Sequence, residues 1–248
     1  MRTKISKQIA SIAALTAVIA TTTFAQSEPV YSVNVIGMQK VQTTSSSSGG
    51  YSMIAMPFDQ VISDLDSVVG TNGVANNSSF LADQVLIYDP EIQRFNVYWL
   101  YGGRKWVSNA GFATNITLRP GGGAWYLSRA SESTTITLVG DVVDDAAVTN
   151  SIFPGLQILS YPYSSPVVLS DLALTNGVSG PSPFVSDNIM IYNPSNTSFS
   201  TYWLFSDRKW VSNQGYATNV VVNPGSSFWY LSRGSEVVEW VENKPYDL

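Results

Sequence analysis

From Gln84 onward, apolar and polar positions alternate in short runs, and each run is cut off by turn residues. This pattern predicts strands at Gln84–Tyr88, Phe95–Leu100, Lys105–Val107, Asn115–Leu118, Ala124–Ser128 and Thr134–Val139. The same pattern returns at Asn188–Tyr192, Phe199–Leu204, Lys209–Val211, Asn219–Val222, Phe228–Ser232 and Val237–Val241. Asp89-Pro90 and Asn193-Pro194 start hairpins, and Arg119-Pro120-Gly121 and Asn223-Pro224-Gly225 form corners. Upstream, Pro29–Met38 alternates as a half-buried strand, Gln42–Gly50 is a polar loop, and Tyr51–Pro57 and Leu156–Pro162 are short apolar runs stopped by proline. One short helix is expected behind each run. The first carries Leu65, Val68 and Val69; the second has Ser165 as cap, Pro166 in the first turn, and Leu169, Leu172 and Ala173 on one face. Both helices run into Thr-Asn-Gly-Val, where Asn-Gly suits a left-handed terminus.

These parallels are one repeat. Residues 84–129 align without a gap on 188–233, and 24 of the 46 positions are identical. Strands about ten residues apart, with proline corners, predict an all-β chain. It reads as two tandem similar units, β-sandwiches or small barrels with one short helix each, over residues 26–143 and 144–248. Val139–Pro154 joins them and is short enough that packed units are expected.

The beginning of the chain is different. Arg2, Lys4 and Lys7 precede an apolar run, Ile9–Ala20, too short to span a bilayer, and Thr23-Phe24-Ala25 supplies small residues for cleavage. Residues 1–25 therefore read as a secretory signal, and the expected location is outside the cell or in the envelope. No later run predicts a membrane span. Without the signal, 10 Lys+Arg stand against 18 Asp+Glu, a net charge of about −8. That argues against a nucleic-acid partner and against adsorption to anionic lipid. With no cysteine, an exported domain must be held together by its core alone.

Composition also limits the chemistry. With neither histidine nor cysteine, the commonest general bases and metal ligands are missing, and no Ser-His-Asp or Cys-His system can be assembled. Carboxylate chemistry is left, yet only Asp83/Asp187 and Glu132/Glu236 recur in both repeats, at positions that suit turns and local pairing. Asp141, Asp144 and Asp145 have the oxygen ligands Ca²⁺ prefers but no recognisable loop spacing, and they read as a solvated acidic linker. The expectation is a non-enzyme with no cofactor and no metal.

The recurring cations Arg104, Lys105 and Arg129, with Arg208, Lys209 and Arg233, lie beside aromatic strands. One reading is a face that grips acidic or sulfated glycan, with rings stacking on sugar and arginines forking onto anions. The other is internal: cations over tryptophan faces, and Arg129 and Arg233 paired with Glu132 and Glu236. In Ala124–Ser128, Trp125 and Leu127 share a face and Tyr126 opposes them, which makes Tyr126 and Tyr230 the surface candidates. Trp99 and Trp203 oppose their neighbours in the same way. The candidate binding set is Tyr126, Tyr230, Trp99, Trp203, Arg104, Arg208, Lys105 and Lys209.

An aliphatic strand ending in proline, an Ile-Tyr-Asn-Pro hairpin, a tryptophan-bearing middle and Pro-Gly-x-x-Phe-Trp-Tyr together resemble the GWNLISLP…LxPGxGFW modules of exported bacterial proteins. Val30–Met38 and the ending from Ser232 look like secreted proteins of the Planctomycetes–Verrucomicrobia group. The likeness spans nearly all of the chain after the signal. It departs at Tyr51-Ser52-Met53 and Leu156-Gln157, where Gly-Trp-Asn is usual. The resemblance implies an extracellular β module with no active site to carry over. The functional expectation is a structural or interaction protein whose partner is a surface polymer or protein, with carbohydrate binding as the alternative.

Overall fold

The computed structural model describes residues 35–45, 49–59, 64–114, 116 and 118–247. The expected signal segment, and residues 29–34 of the expected first strand, lie outside the described residues.

Alternating and β-branched segments produce β1 (Ile36–Gln42), β2 (Gly50–Ala55), β3 (Phe58–Asp59), β4 (Gln84–Asp89), β5 (Arg94–Tyr101), β6 (Lys105–Ser108), β7 (Gly111–Phe112), β8 (Gly123–Ser128) and β9 (Thr135–Val142). They are followed by β10 (Ala147–Ile152), β11 (Gly155–Ser160), β12 (Val167–Val168), β13 (Asn188–Asn193), β14 (Ser198–Leu204), β15 (Trp210–Ser212), β16 (Gly215–Tyr216), β17 (Val221–Val222), β18 (Ser227–Ser232) and β19 (Val238–Asn243). The protein is all-β. Two six-stranded antiparallel sheets have matching orders, β2-β8-β4-β5-β6-β7 and β11-β18-β13-β14-β15-β16. Both are open, with free edges at β7 and β16, so neither sheet closes into a barrel.

Each six-stranded sheet covers its inner face with a smaller sheet. In the first core, Ile54, Val85, Leu100, Trp106 and Tyr126 pack against Phe58, Ile136 and Leu138 of the sheet β1-β9-β3. In the second, Ile189, Leu204, Trp210, Phe228 and Tyr230 pack against Ile152 and Trp240 of the pair β10-β19. Burying one such side chain stabilises by about 1.5–3 kcal/mol, so these two layers replace the crosslinks the chain cannot make. The segment read as a linker is partly strand: Ala147–Ile152 pairs along its full length with β19.

A helix forms behind the first run only. In α1 (Leu65–Val68), the Asp64 carboxylate caps the Ser67 N–H at 2.8 Å, and Gly70, at φ 77°, ends it in the left-handed region. Behind the second run, Val167 and Val168 are extended and pair with β17, and Leu169–Asp171 makes only a 3-10 turn. β-Branched valines favour that extended backbone, and Ser165 caps nothing.

The outer faces of the two large sheets meet through reciprocal contacts. Trp125 of β8 packs edge-on against Tyr192 at 4.8 Å and Phe199 at 6.2 Å between ring centroids. Trp229 of β18 packs in the same way on Tyr88 at 4.9 Å and Phe95 at 5.9 Å. The Ala55 N–H donates to the Gly225 carbonyl, and the Ser160 N–H to the Gly121 carbonyl, both at 2.9 Å. Gly121 and Gly225, at φ 91° and 80°, turn the Pro-Gly corners that present those carbonyls. Edge-on ring pairs of this kind are each worth about 0.5–1.5 kcal/mol beyond their buried area.

Candidate functional site

The most conserved-looking chemistry within the repeat lies inside the cores. Alternation along β8 places Tyr126 opposite Trp125, as expected, but the face Tyr126 enters is the core and not solvent. Tyr126 is 3% exposed and Tyr230 is 0%. This corrects the sequence reading of both as surface residues. The Tyr126 hydroxyl donates to Asp83 Oδ2 at 2.6 Å, while the Arg129 N–H donates to Oδ1 at 2.6 Å. Tyr230 donates to Asp187 Oδ2 at 2.5 Å and the Arg233 N–H to Oδ1 at 2.7 Å. Burial, and next the adjacent carboxylate, pushes both phenol hydroxyls far above their usual range.

The Thr-Asn-Gly-Val turns complete these assemblies, for a reason other than the one expected. Gly73 and Gly177 are not among the glycines at positive φ. They are glycine because the carboxylate fills the place of a side chain: a Cβ would lie 2.2 Å from Asp83 Oδ2 or 1.9 Å from Asp187 Oδ2. From outside, Arg104 Nη1 donates to the Thr71 carbonyl at 2.7 Å and Arg208 Nη1 to the Thr175 carbonyl at 2.7 Å. Both arginines hold the left-handed backbone, φ 56° and 61°, to reach there. They clamp turns and do not reach out toward a ligand.

The other candidates divide. Trp203 is 9% exposed and Trp99 half-buried, and their indole N–H groups are buried without partners. The 3-10 turn Ser79–Leu81 lies next to β5, the strand that carries Trp99. Lys209 sits 5.6 Å over the Tyr216 ring. Lys105 pairs with Asp66 at 2.6 Å and opens onto a cleft of about 260 Å³ with a floor of Trp106, Phe112 and Ala113. The structure thus does not gather the predicted set into one face. Trp106 and Trp210 are buried, and all six repeated tryptophans are at least half-buried.

The most exposed rings are others. Phe80 is 79% exposed and Phe184 83%; Phe112 is 71% exposed and Tyr216 55%. Each pair stands 104 positions apart. A sequence signal existed, since each is a bulky residue in a turn or in a two-residue edge strand, too short to cover it. One buried carboxylate has no counterpart. Glu242 is buried where Leu138 stands in the first core, and it accepts from Trp240 Nε1 at 2.9 Å and the Ala173 N–H at 3.0 Å. Burial raises its carboxyl above the ordinary range against the pull of those donors. Among the linker aspartates, Asp144 pairs with Lys244 at 2.6 Å. No protein family, curated protein or solved structure matches this chain.

Proposed function

We propose that this is an exported, non-catalytic interaction or structural protein of the cell surface or extracellular material. It is built from two tandem copies of one unit, 26–143 and 144–248, packed about a pseudo-twofold. The observation that carries the reading is the repeated exposure of Phe80 with Phe184 and of Phe112 with Tyr216, which stand further out than the next most exposed rings, Tyr51, Phe199, Tyr101 and Phe95. Exposed apolar rings mark contact surfaces, and two equivalent sets on one chain supply two-handed attachment. The recurring carboxylates Asp83 and Asp187 are committed to holding tyrosines, which supports the absence of catalysis.

The test is to change Phe80, Phe112, Phe184 and Tyr216 together to Ser and follow retention on the envelope fraction of producing cells. The expected result is a nearly unchanged melting temperature, because these rings are exposed and Tyr216 gives up only surface contacts with Asp207 and Lys209, and a protein released to the medium. Full retention of the quadruple variant would sink the reading. Mass measurement of the exported protein is expected to show Gln26 as its first residue.

A second reading, binding of acidic or sulfated glycan, needs Lys105 to exchange Asp66 for the ligand in a cleft that Asp64, Asp66 and the exposed Phe112 also line. Salt-sensitive retention on a sulfated-glycan column, lost in Lys105→Ala, is its expected signature.

A further inference from the structure

Strand β1 is the edge of its sheet, and only one of its sides is used. At the two ends of its ladder with β9, the Thr43 N–H donates to the Thr134 carbonyl and the Val142 N–H to the Val35 carbonyl, each at 2.8 Å. Antiparallel bonding alternates, so the odd residues turn their backbone groups toward β9, while Ile36, Met38, Lys40 and Gln42 turn theirs away. Among the described residues, no backbone group pairs with these four. The Lys40 carbonyl accepts only from the side chain of its neighbour Gln39. The register with β9 is unbroken, and β1 has neither a bulge nor a proline to blunt its edge. The side chains of the same four residues lie on the outward face, where Ile36 is 71% exposed and Met38 64%. Next to Ile36, Met38 and Lys40 on that face stand Asp141, Val139 and Thr137 of β9. The fold does not require such residues there. β10 holds the same place beside β19, and its exposed positions carry Ala147, Thr149 and Ser151.

We propose that β1 pairs with β1 of a second copy of this chain, antiparallel, about a twofold axis at Met38. An unpaired row of N–H and C=O groups accepts an extended strand, and the outward face of β1 complements itself. In this register Met38 meets the partner's Met38, and Val139 extends the contact on both sides into one apolar row across the joined sheet. Ile36 meets the partner's Lys40, and Asp141 is the next residue across from Ile36. Each lysine therefore lies two strand spacings, about 10 Å, from an aspartate of the other chain, within reach of its long stem. Among the described residues, neither Lys40 nor Asp141 has an ion pair within the chain. Other twofold registers match less well. An axis at Gln39 sets Met38 against Lys40 and Ile36 against Gln42, and an axis at Lys40 opposes like charges. β10 offers neither a large apolar side chain nor a cation at its exposed positions, so the second unit does not repeat the contact. The same surface serves both chains, and the assembly closes at two. This inference does not depend on the exposed-ring attachment proposed above.

The experiment is sedimentation velocity of the full chain after export, over a wide range of concentrations. The expected result is a single equilibrium between one chain and two. Met38→Lys sets two like charges face to face and is expected to weaken the dimer by at least about tenfold. Cysteine variants report the register, because the chain has no cysteine of its own. On oxidation, Met38→Cys is expected to give a disulfide-linked pair, its two Cα atoms lying within the roughly 4.4–6.8 Å that a disulfide spans, and Lys40→Cys is not. Both side chains are exposed, so the melting temperatures of the variants are expected to stay near wild type. A single chain at every concentration, an undiminished dimer in Met38→Lys, open-ended growth beyond two chains, or crosslinking through position 40 in place of 38 would each overturn the proposal.

Discussion

Tyr126→Phe removes a single oxygen, the one that donates at 2.6 Å to the buried Asp83 carboxylate. Asp83 then keeps the Arg129 N–H on its other oxygen and loses its donor on Oδ2. Hydrogen bonds to charged groups are worth about 1.5–3 kcal/mol, and because Asp83 is buried we expect a loss of about 2–3 kcal/mol. Tyr230→Phe is expected to cost the same, since its geometry at Asp187 matches within about 0.1 Å. The two sites share no partner, so the double variant should lose about 4–6 kcal/mol, a large part of the stability of an ordinary domain. Urea unfolding followed by tryptophan fluorescence measures this as a shift in midpoint at constant slope. Alkali offers a second reading of the same bonds. The folded phenol values are raised, so the stability they contribute is present below the unfolded value of about 10 and is lost as pH climbs beyond it. Each tyrosine should contribute a decline of up to about 1.4 kcal/mol per pH unit there, and the double Phe variant should fall less steeply. Single variants that lose under about 0.5 kcal/mol, or a double variant no worse than one single, would refute the reasoning.

Other perturbations follow from the same geometry. Glu242 has a raised folded value, so its contribution is present below the unfolded value of about 4.3 and is lost as pH rises through the folded one. The stability of wild type relative to Glu242→Gln should therefore fall between pH 4 and neutrality; a flat or rising difference in paired urea titrations would contradict this. Trp125→Ala and Trp229→Ala should each cost about 3 kcal/mol and agree within about 1 kcal/mol, because each ring meets the equivalent aromatic pair of the other half and Trp125 adds only an edge contact with the exposed Tyr51. Clearly unequal losses by thermal or urea unfolding would deny that equivalence. At Arg104, φ 56° penalises any Cβ, so Arg104→Ala should be less stable than Arg104→Gly by about 1 kcal/mol although both lose the clamp. Equal midpoints would place the strain elsewhere.

How much could be read in advance depended on what each signal encodes. Strands such as Gln84–Asp89 and Gly123–Ser128 were visible to within a residue, because alternation and proline corners are local properties. Alternation also separated Trp125 from Tyr126 correctly. It could not say what covers each face, and here a smaller sheet covers one and the other large sheet covers the other. Tyr126 was therefore misplaced on the surface. Strand β10 was hidden for a similar reason: Ala147–Ile152 is unremarkable until β19 provides its ladder, about ninety residues later. The second helix failed because Val167-Val168 finds a strand partner in Val221-Val222, which local capping signals do not register. Gly73 appeared to need a left-handed backbone and instead gives up a side chain to make room for Asp83. Phe112 and Tyr216 went unnoticed because a ring in a turn appears incidental until the strand that carries it proves to be the last of its sheet.

The exchange of Trp125 and Trp229 between sheets has a consequence for any shortened form of this chain. Each half displays a knob and also the socket that fits the other half's knob, so neither half needs a different partner. A fragment holding 144–248 alone would find its complement in a second molecule of itself and should sediment as a closed pair. The full chain, at high concentration, has the same freedom to trade halves with its neighbour.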